Sequence, residues 1–268
     1  MVSAYPPGED DDDDDADDDA ANSTLLTLTG ERTLPRIPHE NYWLRRHEAT
    51  YLAALPLTRG RRVLDAGCGE GFGLALMADD GADVIGVDLD AAVTAHVAAA
   101  YHPVPVVRAN VVSLPFGRAT FDTVISLQVV EHLWDQQTFI AECARVLPDH
   151  GILILSTPNR LTFSPTADPK SRPANPFHSR ELDADELVAL VGTHFETLSL
   201  TGVHHGDRLL AWEKAHGSLI GAQLTTTSER WPQQLLDAVA HVRADDFEMS
   251  PDGLAEALDL VVVAERRP

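Results

Sequence analysis

Cysteine is nearly absent: Cys68 and Cys143 are the only two in 268 residues. Two thiols make no disulfide framework, and both read as reduced, buried groups. Cations are also scarce, with 20 lysines and arginines against 42 acids and a net charge of −22. A phosphate backbone needs a basic footprint, so nucleic acid is excluded as a substrate. No apolar run approaches the length of a membrane span, and no charged-then-apolar leader opens the sequence. These absences predict a soluble, cytoplasmic protein without a membrane partner.

What is present is ordinary globular material, 44% apolar and long enough for one α/β domain with additions. Ten acids fall between Glu9 and Asp19. Such a run buries no apolar area, so residues 1–24 are expected to be a disordered acidic tail. Setting those ten aside leaves −12, still acidic. A neutral or cationic substrate suits that balance.

The chain is organised around Arg62 to Gly73. Val63 and Leu64 read as the end of a buried strand. Gly67, Gly69 and Gly71 follow at alternate positions, and Phe72 to Ala78 opens a helix. A strand that breaks into glycines before a helix lets a ligand approach the backbone, because no Cβ intervenes. Val84 to Asp88 reads as a second strand ending in a carboxylate, 23 residues after Asp65. That spacing suits an acid that accepts both hydroxyls of a ribose. A dinucleotide site needs G-x-G-x-x-G, whereas this turn is D-x-G-x-G-x-G with Glu70 inside it. Carboxylates are poor neighbours for a diphosphate and tolerable beside a sulfonium and an ammonium.

Asp65 to Gly71 with Asp88 resembles the signature of class I S-adenosylmethionine-dependent methyltransferases. The resemblance implies a Rossmann-like α/β fold: a seven-stranded, mostly parallel sheet, helices on both faces, the last strand antiparallel. It implies S-adenosylmethionine as cofactor, with Asp65, Gly67 and Gly69 beside its methionine part. It implies that Asp88 holds the ribose and Leu89 packs on adenine. Asn110, in a segment similar to the family's G-D-A-x-x-L-P-F, would meet the adenine amino group, and Val111 would offer its backbone N–H.

The rest of the chain is read around that frame. Residues 25–60 form an N-terminal cap, with the apolar stretch Leu25 to Arg32 and a helix from His39 to about Leu55. Its Tyr42, Trp43 and Arg46 either pack on the domain or form a lid in which Arg46 or Tyr42 meets the methionine carboxylate. The methyltransferase domain spans residues 61–268. Ala91 to Tyr101, Phe139 to Leu147 and Asp183 to Val191 read as helices, with Asp183 as N-cap. Residues 104–107, 121–126, 151–157, 196–203 and 258–264 read as strands. A Pro-rich loop, 159–180, is long enough to be an acceptor lid. Residues 205–246 read as a helical insertion that could cover the acceptor or supply a homodimer contact.

Gln128-Val129-Val130-Glu131-His132 falls at the end of the fourth strand, where open α/β sheets bind ligands. It resembles the E-x-x-E-H pattern of small-RNA 2′-O-methyltransferases and ubiquinone-pathway O-methyltransferases. In those, the acids and histidine hold a divalent ion beside the accepting hydroxyl. Here Gln128 replaces the first acid, which weakens attraction for a hard cation such as Mg2+. Gln128 is grouped instead with the cofactor-binding residues. His132, helped by Glu131, is the candidate catalytic residue, as base or as metal ligand; His178, His204 and His205 are further candidates.

Leu26 to Arg32, Glu40 to Trp43, Glu131 to Gln136, Ser156 to Pro165, Asn175 to His178 and Asp246 to Met249 together look like the mycobacterial sugar methyltransferases of methylmannose polysaccharide biosynthesis. That resemblance implies a small carbohydrate acceptor, methylated at the 1-hydroxyl of a short, 3-O-methylated mannoside. Two alternatives stay open: O-methylation of a quinone or phenolic acceptor, and a cofactor-binding subunit without catalysis of its own.

Overall fold

The computed structural model describes Leu26, residues 33–165 and residues 173–268. The acidic tail, most of Leu25 to Arg32 and the centre of the Pro-rich loop lie outside the described residues.

Eight strands make one sheet: β1 (Arg62–Ala66), β2 (Asp83–Asp88), β3 (Val106–Arg108), β4 (Thr123–Leu127), β5 (Ile152–Pro158), β6 (Phe195–His205), β7 (Phe247–Ser250) and β8 (Asp259–Arg266). Their order is β3-β2-β1-β4-β5-β8-β6-β7. The pairings from β3 through β5 are parallel, and β8 enters antiparallel between β5 and β6. The sequence predicts seven strands. The additional one, β7, pairs antiparallel with the end of β6, bringing Phe247 opposite His205. Its Phe-Glu-Met-Ser alternates apolar and polar, but four residues are too few to tell a strand from a loop.

The central strands are apolar on both faces, as a covered parallel sheet requires. Val63 and Leu64 fall in different core clusters, as do Ile154 and Leu153. This is the alternation of a strand, side chains pointing up and down in turn. On one face lie α1 (Asn41–Thr58), α2 (Phe72–Asp79) and α3 (Ala91–Ala100). On the other lie α4 (Gln136–Val146) and α6 (Ala184–Val191); a single turn, α5 (Arg160–Phe163), follows β5. Asp183 and Glu186 form the reciprocal cap that starts α6. Cys68 and Cys143 are free and buried.

His205 still belongs to β6; after it come α7 (Asp207–His216), α8 (Leu219–Thr225) and α9 (Gln233–Ala240). Asn41, at the start of α1, joins this insertion to the cap. Its side-chain N–H groups donate to the carbonyls of Val239, Ala240 and Val242, at 3.1, 3.1 and 2.8 Å. Among the described residues no helix is long and apolar enough to cross a membrane.

Candidate active site

The turn after β1 needs its glycines. Gly67, Gly69 and Gly71 have φ of +91°, +54° and +104°. L side chains rarely enter that region. A Cβ on Gly67 would also lie 2.4 Å from a Val129 methyl. Gly67 and Cys68 both donate to the Val87 carbonyl, at 2.8 and 3.0 Å. Asp88 then folds back on the turn. Its two carboxylate oxygens accept from the backbone N–H of Gly69 and of Asp90, at 3.1 and 2.9 Å.

Glu70 lines the space above the turn and is already engaged: it accepts from Phe72 N–H, the Tyr101 hydroxyl and His96, which ties α3 to the turn. Asp65 is fully buried; Tyr51 donates to one carboxylate oxygen at 3.0 Å, while the other has no partner among the described residues. Burial pushes its pKa up to about 7.

A cavity of about 380 Å3 opens above this turn, lined by Gly67, Gly69, Asp88, Leu89, Asn110, Val111 and Tyr51 among others. No lysine or arginine lines it among the described residues. There a pyrophosphate would meet the carboxylate of Asp88, whereas a cationic ligand finds acids and backbone. Leu89 is 63% exposed at this cavity, an apolar surface of the kind a base can cover. The residues present therefore fit S-adenosylmethionine: a diol acceptor in Asp88, an apolar platform in Leu89 and a close backbone turn. Asp65, expected beside the methionine part, is buried beneath the turn and does not line the cavity.

A second cavity, about 570 Å3, adjoins the first. Thr33, His47, Gln128 and His132 line both. Trp43, Arg46, Glu131, Phe163, Phe177 and His178 line the second alone. Gln128 holds a left-handed φ of +57° where β4 ends, and its amide donates to the Ser156 hydroxyl at 3.1 Å. A strained non-glycine residue at a strand end is a familiar feature of functional sites.

Val130–His132 forms one 3-10 turn that aims Glu131 inward and His132 between the cavities. Nδ1 of His132 lies 3.3 Å from the Phe177 carbonyl. A carbonyl only accepts, so Nδ1 is the donor, and in the neutral form of the ring the lone pair belongs to Nε2. Glu131 is buried and receives a hydrogen bond from the Thr157 hydroxyl at 3.2 Å; burial raises its pKa to about 8. His178 donates from Nδ1 to Glu181 at 2.7 Å, and its ring lies edge-on to His132 with centroids 4.9 Å apart. One donor atom each from Glu131, His132 and His178 lies within 4.8 Å of the others.

Two expectations for the cap are corrected. Tyr42 lines neither cavity: it is fully buried, and its hydroxyl meets His205 Nε2 at 2.7 Å. Arg46 lines the second cavity and not the one above the glycine turn. It is held there by Asp259, 3.0 Å away, and by the rings of Trp43 and Phe163, whose centroids lie 4.8 and 5.3 Å from the guanidinium carbon. The described cap residues that do line the cavity above the turn are Thr33 and, on α1, His47 and Tyr51. The helical repeat of α1 carries the signal for them, since Tyr51 follows His47 by four residues on one face. Desolvation and the Arg46 charge push His47 down to about 3, so it is neutral.

A methyltransferase-domain family model matches residues 64–155. A "probable S-adenosylmethionine-dependent methyltransferase" of Mycolicibacterium smegmatis is 48% identical over 248 residues, 90% of this chain and 95% of that one. A ubiquinone biosynthesis O-methyltransferase of Rhodopseudomonas palustris is 27% identical, over 80% of this chain and 75% of its own. Among solved structures, an S-adenosylmethionine-dependent methyltransferase of Thermotoga maritima, described as a possible histamine N-methyltransferase, superposes with TM-score 0.58. It is 16% identical, over 85% of this chain and 95% of that one, which is a likeness of fold. With a relative nearly half identical along almost its whole length, the chain belongs to the S-adenosylmethionine-dependent methyltransferases.

Proposed function

We propose that this methyltransferase acts on a saccharide hydroxyl, the 1-hydroxyl of a short 3-O-methylated mannoside being the acceptor its sequence resemblance favours. The observation that carries the reading is the position of His132, on the wall common to both cavities. The acceptor cavity combines three aromatic rings, Trp43, Phe163 and Phe177, with Glu40, Glu131 and Glu181. Rings cover the C–H faces of a sugar, and carboxylates accept its hydroxyls. Arg46 is the one arginine or lysine among the described lining, and Asp259 already balances it. A neutral acceptor fits better than a polyanion.

S-adenosylmethionine, when bound, supplies a methyl group on a positively charged sulfur, a donor that needs no further activation. Gly67, Gly69 and Asp88 bind it and Leu89, Asn110 and Val111 bound its base side. Gln128 and His132 fix the boundary across which the acceptor hydroxyl is aligned, so positioning supplies much of the rate. Nε2 of His132 takes the hydroxyl proton as the new C–O bond forms. Phe177 holds the ring in the tautomer that permits this.

The grouping of Glu131, His132 and His178 favours a second reading, in which they hold a divalent cation beside the hydroxyl and lower its pKa. The pairing of His178 with Glu181 is the kind that orients a metal-bound imidazole. Two imidazoles and one carboxylate suit manganese, iron or zinc better than Mg2+.

The test is turnover of methylated mannosides against a catechol panel, with and without chelator. We expect mannoside turnover, and a loss of about 100-fold or more in kcat for His132→Ala. Full activity of that variant sinks the role of His132. Full wild-type activity in chelator removes the cation. Preference for catechols transfers the reading to a phenolic acceptor, as in the ubiquinone-pathway relative.

A further inference from the structure

One end of the cofactor cavity has no residue assigned to it. Asp88 closes β2 with Leu89 after it, and Asn110 and Val111 follow β3, so the adenosine side lies over β2 and β3. Gln128 and His132 follow β4, two strands from β2 across β1. The amino-acid side of the cofactor is thereby directed over β1 and β4, where Thr33 and His47 complete the wall. That side carries a carboxylate as well as an ammonium. Among the described residues no lysine or arginine lines the cavity to meet it.

The donors around the glycine turn are already engaged within the protein. Gly67 and Cys68 N–H go to the Val87 carbonyl, and Gly69 N–H goes to Asp88. The Tyr51 hydroxyl donates to Asp65, the Gln128 amide to Ser156, and Nδ1 of His132 to the Phe177 carbonyl. His47 and Thr33 differ, since neither side chain makes a hydrogen bond or ion pair among the described residues. On α1, His47 stands between Arg46, which lines the acceptor cavity, and Tyr51, which reaches Asp65 on β1. It lines both cavities itself, which puts it on the amino-acid side and not the adenosine side. Its ring is neutral and still has one N–H to donate. A neutral donor meets a carboxylate without adding a positive charge beside the sulfonium and the ammonium, as a lysine or arginine would.

We propose that His47, seconded by the Thr33 hydroxyl, holds the carboxylate of the cofactor's amino-acid end through its ring N–H. The proposal rests on the cofactor and is independent of the saccharide reading above. It gives α1 two tasks one helical turn apart: Tyr51 braces the glycine turn from below, and His47 grips the ligand above it. Docking the carboxylate there fixes the short chain that bears the sulfur, and so aims the methyl group at the wall shared with the acceptor.

The experiment is calorimetry on the full chain with S-adenosylhomocysteine and its decarboxylated analogue, which keeps the adenosine, the sulfur and the amine. Wild type should bind the complete ligand about tenfold more tightly or better, the usual worth of a hydrogen bond to a charged group. His47→Ala should weaken the complete ligand by about tenfold and leave the analogue's affinity unchanged, so that the preference collapses. His47→Gln, which restores an N–H, should recover part of the preference, and Thr33→Val should lose a smaller part. Equal affinity of wild type for the two ligands overturns the proposal. So does an undiminished preference in His47→Ala, including the case in which both ligands weaken alike, the mark of a purely structural role. Thermal melts of the ligand-free proteins check the fold. Should His47→Ala unfold, His47→Phe, which keeps a ring and removes the donor, replaces it with the same readout.

Discussion

Asp65 shows how one buried group can carry two demands. Its carboxyl lies beneath the turn with a single tyrosine donor, and burial moves its pKa from the usual 3.8 to about 7. A folded-state pKa above the unfolded one means that the fold binds this proton more tightly than the open chain does. The contribution to stability is whole below about pH 4 and declines as pH rises toward about 7. Asp65→Asn removes that penalty. In thermal melts without ligand, the variant's Tm relative to wild type should be more favourable at pH 8 than at pH 5. An offset that is equal at both pH values refutes the argument. The cost should appear at pH 8 as weaker S-adenosylmethionine binding, because a neutral amide loses the attraction for the positive charge of the ligand.

At the scale of elements, the cap helix α1 connects the two ends of the chain. Asn41 bonds three carbonyls around the end of α9, and Tyr51, ten residues later, reaches Asp65 under the glycine turn. Asn41→Ala leaves those part-buried carbonyls short of a donor, at a cost of about 1–3 kcal/mol. A lower denaturation midpoint, with the acceptor KM raised more than cofactor affinity is weakened, is the expected result. No change in stability would show that these bonds are replaced by water.

This helix also shows where reading the sequence reached its limit. β1, the turn and β2 were legible because strand alternation, glycines and a terminal acid all lie within 27 residues, Arg62 to Asp88. Asp183 announced its helix by the same kind of local rule. Tyr42 and Tyr51 lie nine residues apart on one helix, and only tertiary packing decides which of them meets the ligand turn. The wall that joins the cavities is likewise assembled from Thr33, His47, Gln128 and His132, with no local pattern to connect them. β7 was missed because four alternating residues do not separate a strand from a loop, and His178 could be named only as one candidate of several until the fold brought it beside His132.

At the scale of the whole molecule, charge selects against polyanions. A net −22, with described acceptor-cavity walls that hold Glu40 and Glu181 and an arginine already paired, repels sulfated or phosphorylated acceptors. A neutral methylated mannoside should be used at least tenfold better than its sulfated analogue in low salt, and the gap should narrow as ionic strength screens the field. A gap insensitive to salt would mean that shape, and not charge, rejects the sulfate.

The carbonyl that Phe177 lends to His132 ties proton transfer to the segment that follows β5. Phe177 also lines the acceptor cavity, so one stretch of chain both borders the acceptor and selects the imidazole nitrogen that donates. Choice of acceptor and strength of the base are thereby inherited together: a change in that stretch that alters one alters the other.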